Sequence, residues 1–380
     1  MHAVSPMPKR YRTAGFSLIE MMVALVLGLI LLGAVVQVYL STKLTFVAQD
    51  QKSAVEEGGR FALDYIARDV RMAGLTGCGS RTVPGGQALP VRNHLVGGGA
   101  YPYLFTDAIR GLEASNSGPA QTVTLAASNP AVGGTWNAAL PAAVAALAVP
   151  GSDVLLFSGS QAQVWPLVDP FASGAQMFVQ LGNDIAQGDI LFVTDCSQGV
   201  VFQATSVNPA AGRTNVTGSQ GGTVFPGNSS PVAEQGPNGG AFRRGAVVAR
   251  ASSIAYFIGR GTGGVPSLFR ASLLAPTASP QRRELLTEEL INGVESMQLR
   301  YGIDVNGDFG VDGLAIASAV TDWAQVRSVQ VGLLMRGADN SLQGLDTQTY
   351  NVAGTTVDPV DDPRQRRVFS MTISLRNRLP

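Results

Sequence analysis

The composition of this 380-residue chain favours many short strands joined by turns, because only 14% of its residues are charged and 45 are glycine. Lys plus Arg and Asp plus Glu number 27 each, so no net charge attracts nucleic acid or anionic lipid. With only two histidines, His2 and His94, there is little material for a zinc site or a His-based catalytic triad, which favours a structural or binding protein.

The first forty residues contain a candidate membrane-spanning helix. Three basic residues between Lys9 and Arg12 precede a run from Phe16 to Leu40 in which Glu20 is the only charged side chain. As an α-helix this run spans about 38 Å, enough to cross a hydrocarbon core of about 30 Å. The preceding basic residues predict that the N-terminus is cytoplasmic and that the chain after about Ser41 lies outside the membrane.

Two simpler interpretations of this run are a secretory signal peptide and a plain signal anchor. A signal peptide has an apolar region of about 7–15 residues that ends in small residues at a cleavage site. This run is longer, and no Ala-x-Ala pattern follows it. Glu20 argues against a plain anchor, because a carboxylate in a spanning helix costs up to about 3 kcal/mol and no basic residue lies within a turn of it. The carboxylate needs a cationic partner from elsewhere.

The sequence from Gly15 to Glu20, Gly-Phe-Ser-Leu-Ile-Glu, resembles the processing site of type IV pilins and the related pseudopilins. The resemblance implies that a prepilin peptidase removes residues 1–15 as a leader by cutting after Gly15. Phe16 would become the N-methylated first residue, and Glu20 would pair with the terminal amine of a neighbouring subunit during assembly. The apolar run would then be kept as the packing spine of a filament.

The helix is expected to continue from about Phe16 to Ala73, with a transmembrane half at 16–40 and an amphipathic half at 41–76. Gly58 and Gly59 interrupt the amphipathic pattern, and we expect a bend or local loosening there but not a stop. The amphipathic half is expected to pack on a globular domain. Its apolar residues recur three, four, seven or eight positions apart and predict one buried stripe: Val47, Val55, Ala62, Ile66, Val70 and Ala73.

Residues 77–380 are predicted to form a β-rich globular head. Short runs of β-branched and aromatic residues predict strands at 123–125, 153–157, 177–181, 189–193, 199–205, 246–250, 253–258, 267–271, 294–301, 326–336 and 367–376. The Gly-, Asn- and Pro-rich runs 207–240 and 338–364 are interpreted as loops. The glycine-rich run 259–264 is interpreted as a hairpin loop rather than a phosphate-binding loop, because no helix follows it.

The two cysteines, Cys78 and Cys196, are expected to form a disulfide, because both lie on the exported side where disulfides form. The alternative is a pair of free buried thiols. A bridge would close a loop of about 118 residues and stabilise the fold by up to about 4–5 kcal/mol on the chain-entropy model.

An acidic loop near the C-terminus is a candidate calcium site. Oxygen-bearing side chains fall at positions 1, 3, 5 and 9 of the loop, with a backbone carbonyl at position 7, in a spacing that suits Ca²⁺: Asp304, Asn306, Asp308, Asp312 and the carbonyl of Gly310. The loop departs from the EF-hand pattern because Phe309 and Ala315 replace the usual glycine and glutamate, which implies weaker binding. The alternative is an Asx-rich turn without metal.

The C-terminal end is basic, with arginines at 364, 366, 367, 376 and 378. We interpret them as a solvated edge and expect no specific nucleic acid as a partner, because no aromatic residues are interleaved with them.

Several later stretches are similar to the PilW family of minor pilins: 61–74, Gly77-Cys78, Asp195-Cys196, 289–304, Asp322-Trp323 and 375–380. The loops 80–150 and 207–240 lie outside the resemblance. It implies an α+β, pilin-like fold in which a long N-terminal helix, transmembrane in its first half, packs on a large antiparallel β-rich periplasmic domain.

The resemblance also implies a function without catalysis. Such a minor pilin helps to prime type IV pilus assembly and lies at or near the filament tip, with roles in cell adhesion and twitching motility. It starts in the inner membrane and moves to the pilus on the cell surface. Its expected partners are prepilin peptidase, other minor pilins, the major pilin, a tip adhesin and inner-membrane lipid. The alternatives are a minor pseudopilin of a type II secretion system and a membrane-anchored ligand-binding module outside any filament.

Overall fold

The computed structural model describes residues 15–78, 89–171, 175–210, 212–232, 236–338, 342 and 344–378. The chain divides into two compact units, Met1–Gln51 and Lys52–Pro380. Apart from Gly15, the predicted leader lies outside the described residues, as do His2 and the basic residues before the apolar run.

A 55-residue helix, α1 (Leu18–Met72), begins in the first unit and ends in the second. Ser17 caps its start, since the Ser17 hydroxyl accepts a hydrogen bond from the Glu20 amide at 3.2 Å. The helix ends shortly before Gly74, whose φ of 75° is the left-handed conformation that glycine favours after a helix C-terminus. The predicted helix 16–73 is therefore confirmed to within two residues at each end, and α1 continues through Gly58 and Gly59.

The rest of the described chain is mainly β-structure, with one short α-helix, α2 (Ala142–Ala145), and four three-residue 3-10 helices. The strands are β1 (Val91–Asn93), β2 (Ile109–Leu112), β3 (Thr122–Thr124), β4 (Val154–Pro166), β5 (Gln176–Gln180), β6 (Ile190–Thr194), β7 (Gly199–Gln203), β8 (Ser206–Ala210), β9 (Arg213–Thr217), β10 (Val247–Arg260), β11 (Pro266–Leu274), β12 (Glu284–Asn292), β13 (Val294–Ile303), β14 (Gly313–Ala315), β15 (Val326–Arg336), β16 (Tyr350–Val352), β17 (Thr355–Asp358) and β18 (Arg366–Ser374).

Two sheets form most of the head. An eight-stranded sheet has the order β1-β7-β6-β10-β11-β12, with β4 also paired to β10 and β2 to β4. A four-stranded antiparallel sheet has the order β14-β13-β15-β18. Two three-stranded sheets, β16-β17-β3 and β5-β9-β8, complete the topology of the described residues. The α+β class with a large antiparallel head is confirmed.

The C-terminal part of α1 lies in the main core of the head. Its buried side chains pack with residues of β10, β13, β15 and β18, among them Tyr256, Met297, Val331 and Ile373. The predicted stripe is confirmed at five positions, Val55, Ala62, Ile66, Val70 and Ala73. It is wrong at Val47, which is exposed because the buried face of α1 begins only at Val55.

The strand predictions fail mainly where turn residues are frequent. The predicted loop 207–240 contains most of β8 and all of β9, and the predicted loop 338–364 contains β16 and β17. Two predicted strands around 246–258 are one strand, β10. The hairpin interpretation of 259–264 is confirmed, because this run joins β10 to its antiparallel neighbour β11.

Candidate functional site

The first part of α1 exposes apolar side chains around its whole circumference. Every residue from Phe16 to Leu40 is exposed, with Phe16 at 82% and Leu18 at 80%. An 18-residue window has a mean hydropathy of 2.7 and none of it is buried. A continuous apolar surface of this kind marks a membrane or protein contact. By length and composition this helix can cross a membrane.

The predicted processing site lies immediately before the helix. Gly15, Phe16 and Ser17 are exposed and non-helical, so the peptide bond after Gly15 is not held in a helical hydrogen-bond ladder. Ser17 and Glu20 have the Ser-x-x-Glu spacing of a capping box, and the Glu20 amide uses the Ser17 cap. Sequence reasoning missed this local role, although the spacing was visible.

Glu20 lies in the first turn of α1 with an exposed side chain. Within the described residues, no cationic side chain pairs with its carboxylate. The helix dipole favours an acid in this first turn, by about 0.3–1 kcal/mol in water. In an apolar environment a lone carboxylate is costly, so the geometry still leaves it in need of a cation from another molecule.

The glycine pair has a packing role that the sequence did not reveal. A Cβ added to Gly59 would lie 2.4 Å from the Phe369 ring, and one added to Gly58 would lie 3.2 Å from Met335 Cε. At Gly59 the helix backbone therefore approaches β18 more closely than a larger residue would allow, which explains the helix-weakening glycine there. At Gly58 a small shift of the flexible Met335 side chain would make room for a larger residue.

A polar anchor holds the last turns of α1 to the head. The Asp69 carboxylate accepts hydrogen bonds from the Tyr256 hydroxyl at 2.7 Å and from Arg270 Nε at 2.7 Å. Burial, together with the adjacent Asp69 charge, raises the pKa of Tyr256, so its hydroxyl stays a donor. Beyond the helix end, the Asn377 side-chain amide donates to the Arg71 and Ala73 carbonyls at 3.2 Å each. The helix is thus attached by both packing and hydrogen bonds.

The disulfide between Cys78 and Cys196 is present, with the two Cα atoms 5.5 Å apart. Cys196 lies in the turn between β6 and β7, where its amide donates to Thr194 Oγ1 at 2.9 Å. Asp195 Oδ1 accepts from the Ser197 and Gln198 amides in the same turn. The bridge therefore links the chain just beyond α1 to the eight-stranded sheet.

The acidic loop between β13 and β14 is held by internal hydrogen bonds. The buried Asp304 carboxylate pairs with Arg327 Nε at 2.9 Å and accepts from the Gly307 and Phe309 amides. Desolvation raises the pKa of Asp304, but the Arg327 hydrogen bond and the two amides outweigh it and lower the pKa overall. Arg327 thus supplies a cation to the first of the predicted ligands.

The other predicted calcium ligands lie in the same loop. The Asn306 side-chain amide contacts Asp308 Oδ2 and Asp312 Oδ1 at 3.1 Å each, and the Gly310 amide donates to Asp308 Oδ1. In the part of the chain that the structure describes, no group of three or more His, Cys, Asp or Glu side chains is placed to hold a metal ion. Calcium at Asp304, Asn306, Asp308, Gly310 and Asp312 stays a prediction.

The C-terminal arginines do not form the solvated edge that the sequence suggested. Arg366 is fully buried and pairs with Glu295 at 2.7 Å, Asp362 at 2.9 Å and Asp346 at 3.2 Å. Arg378 is also buried, whereas Arg367 and Arg376 are exposed. The error arises because the acidic partners of Arg366 come from 4 to 71 positions away in the chain.

Comparison with known families agrees with this geometry. Residues 10–36 match the family model of the prokaryotic N-terminal methylation motif, and residues 255–377 match that of type IV pilus-assembly protein W, PilW. The long apolar N-terminal helix, the methylation motif and the antiparallel β-rich head are consistent with a type IV pilin-like subunit. The match over 255–377, from β10 to β18, covers about a third of the chain and supports a PilW-family type IV pilin. No curated protein and no solved structure matches the chain.

The two family-model matches point to a structural subunit with an N-terminal helix that fits a membrane anchor. It also implies processing as a prepilin and contact with other pilus components.

Proposed function

We propose that the chain is a non-enzymatic minor pilin that helps to prime type IV pilus assembly and lies at or near the filament tip. Prepilin peptidase cuts after Gly15 on the cytoplasmic face of the inner membrane. The mature chain then begins at a methylated Phe16, with the head in the periplasm before export on the pilus. Its partners are other minor pilins, the major pilin and a tip adhesin.

The observation that carries the proposal is an exposed apolar helix with one unpaired carboxylate near its start. Glu20 is the only charged side chain between Phe16 and Leu40, and within the described residues it has no cationic partner. The amine of a neighbouring mature subunit would supply that charge. The pairing would offset the cost of a carboxylate in an apolar setting, which reaches about 3 kcal/mol.

The processing step is tested by mass spectrometry of the N-terminus of the protein purified from membranes. A chain that begins at methylated Phe16 is expected, and an intact Met1 contradicts the cleavage. The position in the filament is tested by electron microscopy with antibody against the head, which is expected to label one filament end.

The assembly role is tested with Glu20→Ala in a strain that lacks the native copy. We expect the amount of the chain in sheared filaments to fall at least tenfold, since the unpaired amine of the neighbour is left in an apolar core. Asp50→Ala is the matched control, because Asp50 is an exposed acid of the same helix beyond the apolar run, and it should behave like the parent. Normal filament content in Glu20→Ala contradicts the proposal.

The two alternatives have separate outcomes. A pseudopilin of a type II secretion system would be absent from sheared pili but required for protein secretion. An anchored ligand-binding module would cross-link to no other pilin in membranes.

A further inference from the structure

The outer edge of β18 has main-chain groups without partners. β18 pairs only with β15, and the Leu375 amide donates to the Arg327 carbonyl at 2.9 Å in that register. The Gly337 amide likewise donates to the Gln365 carbonyl at 2.8 Å. In an antiparallel pair, alternate residues direct their amide and carbonyl groups to opposite sides. The groups of four residues therefore point away from β15: Val368, Ser370, Thr372 and Ser374.

No other hydrogen bond reaches these main-chain groups from any residue that the structure describes. Ser370, Thr372 and Ser374 are exposed, which is consistent with an open edge. Each unpaired amide and carbonyl is then available to a strand that lies alongside β18.

The other long edge of the described sheets is protected, and β18 is not. β12 has the same length of nine residues, but it carries Glu284, Glu288 and Glu289 and an irregular register opposite Leu268. Among the short outer strands, β8 contains Pro209. From Val368 to Ser374, β18 has no charge, no proline and no register shift. An unprotected edge of this length is a template for pairing with another chain.

One face of β18 is covered by α1, and the other is covered only near Val368, because Ser370, Thr372 and Ser374 are exposed. The Phe369 ring packs against Gly59 of α1 on one face. Val368 packs with Leu334, Val352 and Val357 on the other. This packing holds the strand in place and prepares the edge for pairing without rearrangement.

The charges at the ends of the edge indicate what kind of strand fits it. Arg71 and Arg376 are exposed and form no ion pair within the described residues. Both lie near the C-terminal end of β18, because Asn377 donates to the Arg71 carbonyl. Arg367, at the other end, is half-exposed and already paired with Glu56. The uncompensated charge is therefore positive and lies at one end.

The same charges disfavour pairing between two copies of the chain. An antiparallel pairing of two β18 edges centred on Met371 would place Arg367 of one copy opposite Leu375 of the other, next to Arg376. Because Arg367 is already paired with Glu56, a second copy offers Arg376 no unpaired carboxylate at this end.

We propose that the β18 edge binds an extended strand of a different polypeptide, which extends the four-stranded sheet and carries carboxylates at the end that meets Arg71 and Arg376. Main-chain hydrogen bonds supply the affinity of this pairing, and the charges at one end set the orientation of the bound strand. It requires no change in α1 or in the β15 pairing.

Hydrogen exchange measured by mass spectrometry tests the proposal on the full chain. The exchange of segment 366–375 is compared between the purified chain in detergent and the chain in native membranes or filaments. We expect the amides of Val368, Ser370, Thr372 and Ser374 to exchange at least tenfold more slowly in the native setting, and segment 284–292 of β12 to stay unchanged. Equal exchange of segment 366–375 in both settings overturns the proposal.

Two sets of variants identify the partner chemistry. Thr372→Pro removes an outward amide without removing a bond to β15, so it should abolish the added protection. Arg376→Glu should reduce the protection strongly, and Arg376→Lys, which keeps the charge, should preserve it. Equal losses in the two Arg376 variants contradict the charge argument. The melting temperature of each variant shows whether it is folded. If Thr372→Pro unfolds the head, the comparison of Arg376→Glu with Arg376→Lys tests the proposal instead.

A photo-crosslinker in place of Ser370 reports the identity of the bound chain. The expected adduct contains a different polypeptide and is lost in Arg376→Glu but kept in Arg376→Lys. An adduct with a second copy of the chain overturns the proposal. Filaments that contain the chain normally but leave the edge unprotected would refute this inference and leave the proposed function standing.

Discussion

The two parts of α1 differ in where their apolar surface is covered. From Leu18 to Gln51 the helix buries no side chain within its own unit, whereas from Val55 to Val70 it buries seven residues, including Gly59, against the head. The two parts of one helix therefore require different surroundings for their apolar side chains. The first part depends on an apolar environment that another molecule supplies, and the second depends on the core of its own chain.

The acids of the two parts show the same difference. Asp69 accepts hydrogen bonds from Tyr256 and Arg270 of the same chain. Glu20, in contrast, pairs with no cationic side chain within the described residues. A carboxylate with an internal partner contributes to the stability of the fold. One without a partner contributes only when a neighbour binds, which makes it suited to assembly.

The largest expected effect concerns the covalent link that follows the second part. In Cys78→Ser combined with Cys196→Ser, we expect the free energy of unfolding of the head to fall by up to about 4–5 kcal/mol, because a long loop is no longer closed in the unfolded chain. Urea unfolding measures it, and reductant should not change the double variant further. An unchanged free energy would mean that the bridge does not stabilise the head.

Gly59→Leu tests the close packing of the second part directly. The leucine side chain would overlap the Phe369 ring, so we expect a loss of about 1–3 kcal/mol in the free energy of unfolding of the head. Gly28→Leu is the matched control in the first part, where an added Cβ meets nothing within 4 Å. If both variants unfold at the same urea concentration, the helix is no more closely packed at Gly59 than at Gly28.

Asp69→Asn tests the polar anchor. We expect a loss of about 1.5–3 kcal/mol, because Arg270 keeps its charge at a largely buried position without a carboxylate. Asp64→Asn, at an exposed position four residues from Arg60 and Arg68, should cost within about 0.5 kcal/mol. Thermal unfolding compares the two, and equal shifts would show that Asp69 is an ordinary surface acid.

The smallest change in stability is expected from calcium binding at the loop of Asp304. Like Asp69, Asp304 already pairs with an arginine of the same chain. Calcium at ten times its Kd would stabilise the head by about 1.4 kcal/mol. Asp308→Ala should remove the part of the melting temperature that a chelator lowers, and Asp64→Asn should leave it. If chelator does not change melting of the parent protein, the calcium site is absent and Asp304 serves only the internal ion pair with Arg327 seen in the described residues.

Much of the fold was predictable where one local pattern dominates. The apolar run, the stripe from Val55 to Ala73 and strands such as β15 follow from hydrophobic periodicity. β8 and β9 were missed because Asn and Pro residues obscure the strand pattern. β12 was missed because its glutamates suggest a solvated segment, although an edge strand can carry them.

The candidate site was predictable in part for the same reason. Glu20 stands out because a lone charge in an apolar run is visible in the sequence. The partners of Asp69 and Arg366 were not predictable, since they lie 187 and 201 positions away for Asp69 and as many as 71 away for Arg366. No local pattern encodes such pairs.

The amino-acid sequence by itself determined the spine of this protein: a long helix, apolar throughout its first part, with a processing motif and an acid at its start. These features depend on neighbouring residues, whose spacing is read directly along the chain. Only the tertiary structure decided which glycines touch Phe369, which arginines are buried and which strand edge stays open, because each depends on residues that folding brings together from distant positions.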